Sequence, residues 1–120
     1  MSVRRIVPDI QSDDLGKSRE FYGLLGLEEV MNLGWVMTLG SPANPTAQVT
    51  FMTHDQTGPV TPDISIEVED VDAVYAAVLA SGAQIVRSLQ DEEWGVRRFF
   101  VKDPNGRVVN VLGHIGTSTD

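Results

Sequence analysis

Few side chains in this 120-residue sequence are suited to catalysis, and they lie far apart along the chain. There are two histidines, His54 and His114, and no cysteine, which excludes disulfides, thiolate metal ligands and a thiol nucleophile. Neither histidine has a nucleophile at a spacing that predicts a catalytic triad, and the segments GPVTPD and PNG are typical of turns rather than phosphate-binding loops. Candidates for contact with a ligand include Asp63, Asn110, Trp35 and Trp94.

The composition predicts one compact globular domain. Hydrophobic residues make up 42% of the chain, and the longest apolar stretches, such as AAVLA at 76–80, are far shorter than the roughly 20 residues that span a bilayer. The opening segment MSVRRIVPDI lacks the hydrophobic region and cleavage site of a signal peptide. We therefore expect a cytoplasmic protein without membrane association, and the absence of cysteine fits a reducing compartment.

The charge balance argues against a polyanionic partner. Seventeen acidic residues against nine scattered basic ones give a formal net charge of −8, so nucleic acid would be repelled overall. An acidic surface of this kind usually serves solubility, and a preference for cationic ligands is the alternative.

The predicted secondary structure around these residues begins with one strand and one helix. Residues 4–11 have the pattern of a strand, and SDDLGKSREFYGLLG predicts an amphipathic helix that ends at Gly26. Two short strands follow around Asn32–Gly34, and QVTFMTH predicts another.

The second half of the chain repeats this order. DISIEV predicts a strand, EDVDAVYAAVLASG a helix that ends at Gly82, and AQIVRSL, WGVRRFFV and RVVNVLGH three further strands. Aligning Asp14 with Asp70 also aligns Gly26 with Gly82 without a gap, which indicates an internal duplication. The sequence predicts an α+β fold of two β-α-β-β-β modules in one domain. The expected bounds are about 4–54 for module one, 55–61 for a connector, 62–114 for module two and 115–120 for a tail.

These same segments resemble a known family. SDDLGKSREFYGLLGLEEV is similar to the opening module, and DISIEVEDVDAVYAAVLASGAQIV with WGVRRFFVKDPNGRVVNVLGH to the closing module, of the vicinal oxygen chelate superfamily. That group includes glyoxalase I, extradiol dioxygenases, fosfomycin-resistance enzymes and bleomycin-resistance proteins. The resemblance covers roughly residues 4–114 and implies curved mixed sheets around a concave cleft, helices on the convex side, and a homodimer.

The resemblance also implies where a metal would be held. In the enzymes of the superfamily, His or Glu side chains from the first and last strands of each module hold a divalent ion that chelates substrate oxygens. Carried over to this sequence, those positions are Val7 and Asp63 on the first strands and Thr50 and Asn110 on the last. Only Asp63 is a good ligand for such an ion, so we expect no metal and no other cofactor.

The histidines do not replace the missing ligands at those positions. His54 and His114 each follow the last-strand position of their module by four residues, which is about 13 Å along a strand. We expect both at the rim or on the surface. A displaced metal site that uses His114 and a carboxylate stays open.

Without a metal, the cleft is predicted to bind a small molecule through aromatic and polar side chains. Trp35 and Trp94 each adjoin a glycine at the start of a strand, where they would stack on a ligand or serve as core or dimer contacts. A two- or four-residue turn in KDPNGR would put Arg97 and Phe99 on the face of Asn110. An odd loop or a bulge would put Arg98 and Phe100 there instead.

Asp63 has two interpretations. A carboxylate that faces an apolar cleft can act as a general base or bind a cationic ligand. Alternatively, Asp63 lies half solvated at the start of its strand, bonded to Arg5 or Arg97.

The favoured function is metal-independent binding or sequestration of a small hydrophobic or aromatic molecule between the modules, as in drug-resistance proteins. The alternative is a glyoxalase-like lyase or isomerase, or a dioxygenase, that uses a displaced metal or Asp63 as base. The predicted ligand-binding residues are Trp94, Trp35, Phe99, Arg97, Asn110, Asp63, Thr50 and Val7.

Overall fold

The computed structural model describes residues 2–55 and 58–115. The elements follow in the predicted order, which confirms the α+β class with its repeated β-α-β-β-β order. They are β1 (Val3–Gln11), α1 (Leu15–Gly23), β2 (Glu28–Asn32), β3 (Val36–Gly40), β4 (Gln48–Met52), β5 (Ile64–Val68), α2 (Val71–Ser81), β6 (Ile85–Asp91), β7 (Val96–Lys102) and β8 (Val108–His114).

The chain divides into two compact units, each with a mixed sheet. In the unit Val7–Thr61 the strand order is β2-β3-β4-β1, and only the β1–β4 pair is parallel. The other unit contains Pro62 and the residues after it, together with the beginning of β1, and its order is β1-β5-β8-β7-β6 with a parallel β5–β8 pair. We call β1 to β4 with α1 module one and β5 to β8 with α2 module two. In both modules the first strand lies beside the last.

The two helices begin in the same way. The Asp14 carboxylate accepts a hydrogen bond of 3.0 Å from the Lys17 N–H, and the Asp70 carboxylate one of 3.1 Å from the Ala73 N–H. Each cap satisfies a backbone donor that has no partner within the helix. The internal duplication thus extends to the capping residue.

The helix ends differ from each other. α2 is followed by Gly82 with φ +79°, as predicted. α1 ends at Gly23, so the prediction that it continues to Gly26 is wrong. The N–H groups of Leu24, Leu25 and Gly26 each bond to the carbonyl three residues earlier, which tightens the chain into a turn that closes at Gly26 with φ +103°.

Each helix covers one face of its own sheet. Under α1 lies a cluster of Met37, Leu39, Val49 and Phe51, against which Tyr22 packs. Under α2 lies a cluster of Val68, Val71, Phe99, Val101 and Val111, against which Tyr75 packs. Because successive strand residues point to opposite faces, the residues between them lie on the faces away from the helices.

Module one also carries apolar side chains in contact with solvent. They include Phe21, Leu24, Leu25, Val30 and Leu33, on α1 and in the segment around β2. The homodimer stays a prediction.

Within the described residues, neither helix is long and apolar enough to cross a membrane.

An ion pair on module one joins α1 to β2 and gives a prediction in pH. Arg19 Nη1 donates to Glu29 Oε1 over 2.8 Å, and the amide of Asn32 donates to the same oxygen over 3.2 Å. Both bonds, that of Arg19 first, lower the pKa of Glu29 below 4.5. A pKa that is lower in the folded than in the unfolded state stabilises the fold when the pH is above the pKa of the unfolded state. This contribution is lost as the pH falls through the pKa of the folded state.

Arg19→Ala should therefore raise the pKa of Glu29 towards the ordinary value of a glutamate, as an NMR titration of its carboxyl carbon would measure. Arg4→Ala is the control and should leave that pKa unchanged. An unchanged pKa in Arg19→Ala would mean that the pair does not form in solution.

Candidate functional site

The face of module two opposite α2 carries a row of side chains across four strands. Ser65 pairs with Asn110, Asn110 with Phe100, and Phe100 with Arg87. In the next row, Glu67 pairs with Leu112 and Leu112 with Arg98. We call this surface the polar face and define it by Ser65, Glu67, Arg87, Arg98, Phe100 and Asn110.

The β7–β8 connection decides which residues belong to the polar face. Lys102 pairs with Val108, so the loop consists of the five residues 103–107. Because this number is odd, even-numbered residues of β7 pair with even-numbered residues of β8. The prediction that Arg97 and Phe99 share the face of Asn110 is therefore wrong, and Arg98 and Phe100 lie there instead. Phe99 points to α2, where its ring centroid is 4.8 Å from that of Tyr75.

Arg97 extends to the first turn of α2. It donates to Asp72 and to Asp91, each over 2.9 Å, and these bonds, that to Asp72 first, raise its pKa above the ordinary value. Both carboxylates and Arg97 line a pocket of about 560 Å³ that His114 also borders. The charge of Arg97 is thus balanced within the protein.

Asn110 lies at the centre of the polar face and is 7% exposed. Its Nδ2 donates to Ser65 Oγ over 3.0 Å, whereas its Oδ1 is buried without a hydrogen-bond partner. With the amide turned over, the oxygen would accept from Ser65 and the nitrogen would be left alone, so one polar group stays unpaired in either orientation. Such a group costs about 1–3 kcal/mol unless a ligand or a water satisfies it.

Beside Asn110 lies a buried ionic cluster of Arg87, Glu92 and Arg98, whose side chains are 11%, 6% and 5% exposed. Glu92 Oε1 accepts from Arg87 Nη2 over 2.8 Å, and Oε2 accepts from Arg98 Nε over 3.0 Å. Sequence reasoning missed Arg87 and Glu92. The sequence does not distinguish Glu92 from the adjacent Glu93, since both are glutamates. Which of the two joins the cluster depends on the fold.

Two aromatic rings lie close to the guanidinium of Arg98. Its guanidinium carbon lies 5.3 Å from the Trp94 ring and 4.8 Å from the Phe100 ring, within the range of cation–π attraction. Trp94 is 45% exposed, so part of its ring stays open to a ligand at the edge of the polar face. Trp35 is half-buried before β3 in module one, and its carbonyl accepts from the Thr53 N–H over 3.0 Å.

Asp63 is exposed at the start of β5, and its partners differ from those predicted. Its Oδ2 accepts from the Val108 N–H over 2.8 Å, and its Oδ1 is 3.9 Å from Arg107 Nη1. The expected partners are occupied elsewhere, since Arg5 pairs with Glu67 and Arg97 with two aspartates. The carboxylate of Asp63 thus fixes the β5–β8 end of the sheet.

A comparison of the sequence with known protein families agrees with the repeated module order. A family model described as the Glyoxalase/Bleomycin resistance protein/Dioxygenase superfamily matches residues 5–111. The chain belongs to this superfamily. No curated protein gives a significant match in sequence.

Solved structures of the superfamily fold superimpose on almost the whole chain. A glyoxalase/bleomycin resistance protein/dioxygenase superfamily member from Vibrio splendidus 12B01 is 20% identical with a TM-score of 0.71, over 93% of this chain and 99% of that one. Methylmalonyl-CoA epimerase from Mycobacterium tuberculosis is 18% identical with a TM-score of 0.65, over 98% and 90%. A hypothetical protein from Bacillus halodurans C-125 is 13% identical with a TM-score of 0.74, over the full length of both chains. These similarities show the fold.

The four residues that the resemblance predicts at metal-ligand positions do not fit a divalent ion. Val7 has no donor atom, Thr50 Oγ1 lies 2.8 Å from Thr38 Oγ1, and the Asn110 amide bonds to Ser65. Asp63 is the one carboxylate, and it holds the Val108 N–H. Zinc, iron and manganese take imidazole, carboxylate or thiolate ligands, usually three or more from the protein. Among residues 2–55 and 58–115, no three His, Asp or Glu side chains are grouped to hold a metal.

The histidines bond to their own neighbours. His54 Nδ1 lies 3.2 Å from Thr53 Oγ1, and His114 Nε2 lies 3.4 Å from Glu67 Oε2. His114 therefore borders the polar face through Glu67.

Proposed function

We propose that this superfamily member binds a small aromatic molecule at the polar face of module two without a metal ion. The observation that carries the proposal is the buried amide of Asn110, which has one polar group without a partner. This amide occupies a position where superfamily enzymes hold their metal. A hydrogen bond to the ligand takes the place of a coordinate bond there.

The preference for an aromatic ligand rests on Trp94. Its partly exposed ring is held by the guanidinium of Arg98, which also lies over the ring of Phe100. A fixed and partly open indole is a stacking surface that loses little conformational freedom on binding. A planar ligand with a hydroxyl or amide donor would thus satisfy both Trp94 and Asn110. Sequestration of an aromatic drug, as in bleomycin-resistance proteins, is a function of this type.

Binding of neutral aromatic probes tests the proposal. We expect 6-hydroxy-2-naphthamide and 2-naphthol to shift the ¹⁵N–¹H signals of the Asn110 side-chain amide and the Trp94 indole in the full chain. A Kd of about 1 mM or tighter for the naphthamide corresponds to about 0.3 kcal/mol per ligand atom. The shifts should persist in EDTA, and the probes should be recovered unchanged. If neither probe moves these signals, the proposal is wrong, and conversion of a probe would point to an enzyme instead.

Asn110→Leu separates a binding role from a structural one. Leucine has a similar shape and removes the unpaired amide group, so the free energy of unfolding should stay the same or rise by up to about 1–3 kcal/mol. Probe affinity should fall about tenfold or more, because the ligand donor loses its acceptor. Asn105→Ala, in the exposed β7–β8 loop, is the control and should change neither quantity. A loss of stability with unchanged affinity would show that Asn110 serves the fold alone.

A further inference from the structure

We propose that the molecule bound at the polar face carries a carboxylate, and that the guanidinium of Arg87 binds it. This inference rests on the proposed function and adds the chemical class of the ligand. Its starting point is a second buried group without a partner, since Arg87 Nη1 is enclosed and has no hydrogen-bond acceptor.

The strand geometry directs Arg87 to the polar face. β6 shifts register on both sides of Arg87, which leaves it paired with Phe100. Its guanidinium carbon lies 6.0 Å from the Phe100 ring centroid, on the face away from α2. Irregular strand positions of this kind often redirect a side chain towards a site.

The other bonds of Arg87 fix the orientation of Nη1. Arg87 Nη2 donates to Gln90 Oε1 over 3.2 Å and to Glu92 Oε1 over 2.8 Å. The second oxygen of Glu92 is taken by Arg98, so a single carboxylate serves two guanidinium groups. A buried guanidinium with one unused nitrogen is costly, and an anionic acceptor from outside the cluster would remove that cost.

Arg87 and Asn110 are two strands apart in one row, with Phe100 between them. Neighbouring strands lie about 4.8 Å apart, so the two Cα atoms are separated by about 10 Å. A bicyclic aromatic molecule has a length of the same order as this Cα separation, and in the proposed complex its two ends carry a donor for Asn110 and an acceptor for Arg87. The two unpaired groups thus define opposite ends of one ligand.

The enclosure favours a carboxylate over a phosphate. The side chain of Arg87 is 11% exposed, Asn110 is 7% exposed and Phe100 is fully buried. A dianion would lose more hydration in such a place than a monoanion would. The planar carboxylate also matches the geometry of a guanidinium.

The test compares 6-hydroxy-2-naphthoate with 6-hydroxy-2-naphthamide, which differ only at the proposed Arg87 end. By titration at neutral pH, the wild-type chain should bind the carboxylate about tenfold or more tightly than the amide. In Arg87→Gln this ratio should fall to about one, and in Arg87→Lys it should be intermediate. Arg97→Gln is the matched control, because Arg97 points to the opposite face, and it should keep the wild-type ratio.

The ratio of the two probe affinities is measured within one folded protein, so a change in stability does not affect it. If Arg87→Gln does not fold, the ratio in Arg87→Lys tests the role of Arg87. Equal binding of both probes by the wild type would overturn the carboxylate assignment and leave the proposed function standing. A ratio that survives in both Arg87 variants would overturn the role of Arg87. If neither probe binds, the proposed function itself fails.

Discussion

Replacing Phe99 by alanine should lower the free energy of unfolding by about 3–5 kcal/mol, the usual cost of removing a fully buried aromatic ring. Phe99 is 0% exposed and belongs to the cluster under α2, in contact with the ring of Tyr75. Its removal would leave a cavity between α2 and the centre of its sheet. Urea unfolding followed by circular dichroism would measure the change.

The matched control is Phe21→Ala on α1. Phe21 is 59% exposed and makes an edge contact with Tyr22, so its loss should cost about 1 kcal/mol or less. A small cost for Phe99→Ala would mean that the ring is not under α2. The pairing of Phe99 with Val111, and with it the composition of the polar face, would then be wrong.

Glu92→Gln should cost about 3–5 kcal/mol, since it removes the shared partner of two buried guanidinium groups. The carboxylate accepts from Arg87 at one oxygen and from Arg98 at the other, and all three side chains are nearly enclosed. Glutamine keeps the shape but has one acceptor oxygen and no charge, so one arginine loses its hydrogen bond to residue 92 and both lose the neighbouring negative charge.

Glu93→Gln is the control for Glu92→Gln, because the adjacent side chain has the same chemistry and is exposed. We expect a change within about 0.5 kcal/mol for this variant in the same urea experiment. Equal effects of the two substitutions would show that the cluster does not form in solution.

Much of the fold could be predicted from local patterns. Strand alternation, helical spacing and the capping positions of Asp14 and Asp70 depend on residues close in sequence. These signals gave the order of the elements and the duplication. The end of α1 was misplaced because Gly23 and Gly26 both favour termination, and the bonds of the following turn select the earlier one.

The candidate site could be predicted only in part. Donor chemistry belongs to the residue type, so the amino-acid sequence was enough to predict that Val7, Thr50 and Asn110 are poor metal ligands. The fold was needed to place Arg98 and Phe100 beside Asn110, because the parity of a hairpin depends on how many residues close the loop. It also decided that Glu92 joins Arg87 to Arg98 and that Asp63 bonds to Val108, because ion pairs are selected by strand register and burial, which sequence neighbours do not fix.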